Sequence, residues 1–240
     1  RIEPMPRAWT MASLGAGSRA LVTGASGALG TAFCQQLKQD PRCAVVRELG
    51  RHTLPELDLE RPETIASAAT ELATEAPYQL IVHAAGLLHR DRIKPEKSFS
   101  AIEQEALQAV FQVNTLGPAL VLRYFLPLLD SKGAMAMLSA KVGSIGDNRL
   151  GGWYAYRASK AALNMLIKTA AIELARTRPQ SRLLSLHPGT VVSGLSQPFR
   201  GATGARPADV AADQLLTLID QLTPADSGHF FAYDGERLPW

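Results

Sequence analysis

The chain has only two cysteines in 240 residues, Cys34 and Cys43. They form no CxxC or zinc-type spacing, so neither a structural metal nor a disulfide framework is expected, and two reduced thiols in a cytoplasmic protein are the reading. Long apolar runs are also missing. None approaches the ~20 residues that a membrane helix needs. Charge of one sign is scarce: 25 Lys+Arg against 22 Asp+Glu leaves a net +3. That excess is too small and too evenly spread to mark a nucleic-acid surface. No internal repeat, low-complexity tract or Pro/Gly-rich linker divides the chain. What remains is ordinary globular composition, with 46% hydrophobic residues, enough for a sizeable core in one α/β domain. Residues 1–18, with Pro4 and Pro6 and no apolar signal core, are expected to be a flexible extension ahead of a domain over 19–240.

Short apolar runs alternate with longer amphipathic stretches. Strands are predicted at Ala20–Thr23, Cys43–Leu49, Gln79–His83, Ala134–Leu138, Arg182–Leu186 and His229–Tyr233. Helices are predicted at Leu29–Gln39, Pro62–Thr74, Phe99–Leu129 with a break at Gly117-Pro118, Trp153–Thr177 and Asp209–Leu222. Continuous apolar strands alternating with helices predict a doubly wound, mostly parallel sheet covered on both faces, a single-domain Rossmann fold. Between Arg51 and Asp58 there is too little chain for a crossover of about a dozen residues. The second helix of the ordinary pattern is therefore expected to be reduced to a loop, and any third strand to be short or irregularly connected. On that count Gln79–His83 is the fourth strand and Ala134–Leu138 the fifth.

A glycine-rich turn, Thr23-Gly24-Ala25-Ser26-Gly27-Ala28-Leu29-Gly30, follows the first strand and opens the first helix. This is where a dinucleotide fingerprint must lie, because glycines admit the pyrophosphate and the helix N-terminus offers free N–H groups. A tight turn without ligand is the plain alternative. Further on, Tyr156-Arg157-Ala158-Ser159-Lys160 places a phenol and an ammonium one helical turn apart. An ammonium beside a phenol favours the phenolate and is expected to lower its pKa from about 10. Tyr154, a rival phenol, has Ala158 at the corresponding place and reads as a pocket or packing residue.

Together these segments resemble the short-chain dehydrogenases/reductases, over about residues 19–240. The turn is similar to their TGxxxGxG, with Ala28 at the middle glycine and Gly27 one place early. The resemblance implies reduction of a small-molecule carbonyl compound, with Tyr156 as general acid, Lys160 holding the cofactor ribose, and Asn114 bending its helix to order a proton-relay water. The turn residues Gly24, Ser26, Gly27, Ala28, Leu29 and Gly30 would bind the cofactor. So would Asp58 and Leu59, at the place that meets adenine, and Ala84, Ala85 and Gly86, which match NNAG with His83 and Ala84 for the asparagines. Pro188, Gly189, Thr190, Val191 and Ser193 would lie along the nicotinamide. His83 reads as a packed or hydrogen-bonded residue. Residues 194–206 stand where the family keeps a mobile substrate loop.

Two positions leave choices open. The cofactor candidates after the second strand are Arg47, Glu48 and Arg51. An acidic side chain there suits the ribose of NAD(H), whereas an arginine fork suits the 2′-phosphate of NADP(H). Arg51 favours NADP(H), and Glu48 keeps as an alternative an NAD(H)-dependent alcohol dehydrogenase running in the oxidative direction. The family's carbonyl-holding serine falls on Ala140, so Ser139 or Ser144 would stand in, Ser139 being the candidate site residue, or the chemistry would lean on Tyr156 alone. That gap also keeps open a cofactor-binding signalling or scaffold protein with little turnover. The tail, Tyr233-Asp234-Gly235 with Leu238-Pro239-Trp240, resembles C-factor-like and sniffer-type carbonyl reductases. The family's habit implies a homodimer or homotetramer built on the two long helices.

Overall fold

The computed structural model describes residues 10–196 and 204–240. Six strands form one parallel sheet: β1 (Ser18–Thr23), β2 (Cys43–Leu49), β3 (Tyr78–His83), β4 (Leu129–Leu138), β5 (Arg182–His187) and β6 (Phe230–Ala232), in the order β2-β1-β3-β4-β5-β6. The helices are α1 (Ala28–Gln39), α2 (Pro62–Leu72), α3 (Gln104–Phe111), α4 (Gly117–Phe125), α5 (Tyr154–Thr177) and α6 (Ala208–Gln221).

Side chains alternate across each strand, and this splits the core in two. Ala20, Val22, Leu80, Val82, Ala134 and Ala136 face α1 and α6, packing with Phe33, Leu37, Leu215 and Ile219. Leu21, Ile81, Met135 and Met137 face α2, α4 and α5, packing with Ile65, Phe125, Leu163 and Ile167. Small residues on the first face let α1 and α6 sit close to the sheet and to each other. No helix among the described residues is long and apolar enough to cross a membrane.

Three expectations need correction. Residues 50–61 carry no strand and no helix, so the sheet ends at β2 on that side and Gln79–His83 belongs to the third strand. The extension is also shorter than expected. Met11 and Leu14 are buried in the core, the Met11 amide donates to Asp40 Oδ2 at 2.7 Å, and the Ala12 and Ser13 amides donate to Asp220. These apolar and backbone groups hold residues 11–14 to α1 and α6, while residues 1–9 lie outside the described ones.

The third correction concerns the long helical stretch. It leaves α-helical geometry before the expected break or kink at Gly117-Pro118, and α4 begins at Gly117. A wide π turn over Gln112–Leu116 comes first, and α4 then starts with Pro118 in its opening turn, where a missing N–H costs little. Gly117 is required by packing: a Cβ there would lie 2.7 Å from the Leu59 Cβ.

Candidate active site

The C-terminal ends of β1 to β5 open into one cleft of about 620 Å³. It lies where β2 and β3 leave opposite sides of β1, the switch point at which open parallel sheets bind ligands. Its floor at one end is the turn after β1. Gly24 has φ +72°, and a Cβ there would sit 2.8 Å from the Ala85 nitrogen. A Cβ on Gly30 would lie 2.0 Å from the Gly24 oxygen. Gly27 precedes α1 in ordinary extended backbone, and α1 has neither a side-chain cap nor an acidic residue in its first turn. The helix therefore points uncapped N–H groups into a cradle lined by Gly24, Ser26, Gly27, Ala28 and Leu29. That donor set fits a dinucleotide pyrophosphate. Ala28 is tolerated because its side chain is exposed rather than pressed against β1.

Beyond the turn, Arg51, Asp58 and Leu59 line the same cleft. Arg51 is exposed and forms no ion pair with any described residue. The two other candidates are engaged elsewhere. Arg47 chelates Glu75 at 2.7 and 2.6 Å, and Glu48 pairs with Lys38. Neither lines the cleft. Ala84, Ala85 and Gly86 close the cleft along β3, while Pro188, Gly189, Thr190, Val191 and Ser193 line it after β5. Gly189 adopts φ +71° with Arg206 and Tyr233 packed against it, a place no side chain could occupy. Of the segment 194–206, Gly194, Leu195 and Ser196 reach the cleft, and residues 197–203 lie outside the described ones.

Tyr156 and Lys160 sit on the first turns of α5 and face the other end of the cleft. Lys160 is buried, its Nζ lies 5.9 Å from the Tyr156 ring centre, and it donates to the Leu138 carbonyl at 3.2 Å. Burial pushes its pKa down to about 8. Tyr156 goes the other way: burial raises it to about 12. The expected lowering of the phenol by Lys160 is thus not present: burial outweighs it, and the ammonium is hydrogen-bonded to a carbonyl. A phenol held in its protonated form remains a proton donor.

Asn114 belongs to the π turn. Its side chain clamps Leu87, accepting from the amide at 2.7 Å and donating to the carbonyl at 2.8 Å, and also donates to Ser159 Oγ at 3.1 Å. Four residues on stands Pro118, which has no N–H to return to the Asn114 carbonyl. A Cβ on Gly86 would lie 3.4 Å from Lys160 Nζ and 3.6 Å from Asn114 Oδ1, so the three meet at one spot. His83, below them, is buried with Nδ1 2.6 Å from Thr23 Oγ1, as a packed residue should be.

Ser139 lines the cleft beside Ala140. Its Oγ is buried without a hydrogen-bond partner, and Ala140 is the neighbour that packs with Tyr156 and Leu88. Ser144 Oγ is turned away and accepts the Asp147 amide. Tyr154 is exposed at the start of α5 and does not line the cleft, contrary to expectation. Several residues escaped the sequence reading. Trp153 stands edge-on to Tyr156 with ring centres 6.1 Å apart. Leu88, Val142 and Leu195 complete an apolar wall, and Glu96 holds the start of α5. These come from loops, where no periodicity announces a contact.

Known proteins fit this geometry. The sequence profile of the family described as short chain dehydrogenase matches residues 18–203. The 1-hydroxy-2-glutathionyl-2-methyl-3-butene dehydrogenase of Rhodococcus sp. (strain AD45) is 32% identical over 187 residues, 78% of this chain and 79% of that one. The C-signal protein of Myxococcus xanthus is 36% identical over 143 residues, 58% of this chain and 81% of that one. Among solved structures, the carbonyl reductase Sniffer of D. melanogaster superposes with a TM-score of 0.81 at 24% identity, covering 94% of this chain and 100% of that one. The NADPH-bound carbonyl reductase from chicken fatty liver gives 0.80 at 23% identity, covering 94% and 95%.

Proposed function

The chain belongs to the short-chain dehydrogenase family of oxidoreductases, and on that premise we propose that it reduces an aldehyde or ketone to an alcohol with NADP(H), Tyr156 giving the proton. The observation that carries this reading is the shared cleft. The glycine turn, Arg51 and the Tyr156–Lys160 pair all line one cavity.

The roles follow from the geometry. The turn and the α1 N-terminus hold the pyrophosphate, and Arg51, with no ion pair to any described residue, meets the 2′-phosphate. A solved structural neighbour was determined with NADPH bound, which supports the same choice. When bound, the reduced nicotinamide supplies a hydride. Tyr156 donates its proton to the substrate oxygen. Lys160 passes a replacement proton towards Tyr156 from a water that the Asn114 carbonyl holds, and Leu88, Val142, Trp153 and Leu195 keep bulk water from the reacting atoms. A homodimer or homotetramer belongs to the proposal, supported by the exposed Met165 and Ile172 along α5.

The test is NADPH oxidation against a panel of aldehydes and ketones, with NADH in parallel. Turnover is expected with NADPH and lost by two orders of magnitude or more in Tyr156→Phe, the range for removing a general acid. Unchanged turnover in that variant would sink the mechanism. Ala140 favours one second reading, a cofactor-binding protein with little turnover. NADPH binding without oxidation by any carbonyl would decide for it.

A further inference from the structure

The cleft around Tyr156 is short of hydrogen-bond donors. The Tyr156 hydroxyl makes no hydrogen bond to any described residue. Its buried neighbours are Leu88 and the methyl group of Ala140, with Val142, Trp153 and Leu195 packed around them. The hydroxyls and amines nearby in sequence are committed or enclosed. Ser139 Oγ is buried, and its amide donates to the Leu186 carbonyl at 2.7 Å. Lys160 Nζ donates to the Leu138 carbonyl. His187 lines the same cleft, with its Nδ1 buried and without a hydrogen-bond partner among the described residues.

Reduction makes a specific demand on this spot. The carbonyl π bond breaks as a C–H bond forms at carbon with the two electrons of the hydride from reduced nicotinamide. The π pair moves onto oxygen, which then takes the Tyr156 proton. Until it does, charge gathers on oxygen, and one missing donor costs about 10²–10³ in rate. A substrate that draws that charge into its own electron-withdrawing group needs the donor less. Resting on the carbonyl-reductase reading, we propose that this site is selective for electron-poor carbonyl compounds on an apolar body, and that Ala140 is the residue that sets the selectivity.

Para-substituted benzaldehydes, from 4-methoxy to 4-nitro, test this in single turnovers of enzyme-bound NADPH, so that product release does not mask the chemistry. The wild-type rate is expected to climb steeply with electron withdrawal, by about 100-fold across the series, the scale of one donor. Ala140→Ser is expected to raise the 4-methoxy compound about tenfold or more and the 4-nitro compound by much less, flattening the slope. NADPH affinity, followed by its fluorescence, shows whether the variant is intact. A shallow wild-type slope overturns the proposal by itself, whether or not the variant folds, and so does an equal gain at both ends of the series. Failure of NADPH-bound wild-type protein to reduce even 4-nitrobenzaldehyde overturns the reductase reading and this proposal with it. Turnover with a shallow slope removes this proposal alone.

Discussion

The carbonyl of Glu96 accepts a 2.6 Å hydrogen bond from the Trp153 amide, and Trp153 there adopts φ 55°, ψ 44°. Left-handed backbone costs an ordinary residue about 1–2 kcal/mol, so something must hold it. Glu96 does so twice, because its Oε2 also accepts the Ala155 amide at 3.2 Å. That carboxylate caps the helix carrying Tyr156, which has no side-chain cap from its own Trp153. It ties the loop after β3 to the turn that carries Tyr156.

Glu96→Ala should therefore loosen the start of α5. A buried, charged acceptor is worth about 1.5–3 kcal/mol, which for a domain of this size is a melting-point drop of roughly 3–10 °C. Carbonyl reduction at 25 °C should fall about tenfold or more, since small displacements of a reacting group are costly, with NADPH affinity little changed. Glu96→Gln keeps an acceptor and should recover most of both. A purely structural role would lower the melting point and leave the 25 °C rate untouched.

Lys160 predicts the pH profile. Burial holds its pKa at about 8, below the usual 10.5. It is charged below pH 8 and loses its proton above. Reduction should weaken as pH rises through about 8. Stability should move oppositely between pH 8 and about 9.5, because the unfolded chain still binds that proton while the folded one does not. A declining rate with a steady or rising melting temperature over that window is the expected pair of results. A rate and melting point that fall together would point to unfolding instead.

The fold and the ends of the site were legible for a physical reason. Apolar strands, the glycine turn, YxxxK and the residues after β5 obey local rules of period and spacing, and the structure brings them to one cleft. Asn114 with Pro118 four residues on was also readable as a carbonyl left without its helical donor. The irregularity starts earlier than the glycine-proline pair suggests, because a π turn over Gln112–Leu116 precedes α4. What stayed hidden depends on tertiary contact. Met11 and Leu14 are two apolar residues in a polar segment, and only Asp40 and Asp220 explain why they dock. Which neighbour meets Tyr156 was hidden too: Ser139 lines the cleft with its Oγ buried and unpartnered, and it is Ala140 that packs against Tyr156.

On the proposed reading, Arg51 is expected to separate the cofactors. Replacing a charge-assisted contact to a phosphate costs about 1.5–3 kcal/mol, so Arg51→Ala should weaken NADPH binding at least about tenfold. NADH lacks the 2′-phosphate, and its affinity should change little. Fluorescence titration of both cofactors checks this. Equal weakening of both would mean that Arg51 only shapes the loop between β2 and α2. Glu48→Gln serves as the control, because its carboxylate is paired with Lys38 and lies outside the cleft.

A buried histidine, His83, and a half-buried one, His187, are expected to set the acid limit. Burial lowers His83 to about 3, with Lys160 adding to the effect, and lowers His187 to about 4. In the unfolded chain both titrate near 6.5. The sign follows: above about pH 6.5 neither state binds these protons and the native state has its full advantage. As pH falls from 6.5 towards 4, the unfolded chain takes up protons that the folded one refuses. Each histidine then removes up to about 1.4 kcal/mol of stability per pH unit. Denaturant midpoints measured from pH 7.5 to 4.5 should fall steeply below 6.5. His83→Asn removes one titrating group while leaving a side chain that can still reach Thr23, so its stability at neutral pH should drop but its slope with pH should be shallower. An unaltered slope in that variant would mean that His83 is protonated in the folded protein, with its orphaned Nε2 satisfied in a way that burial alone does not provide.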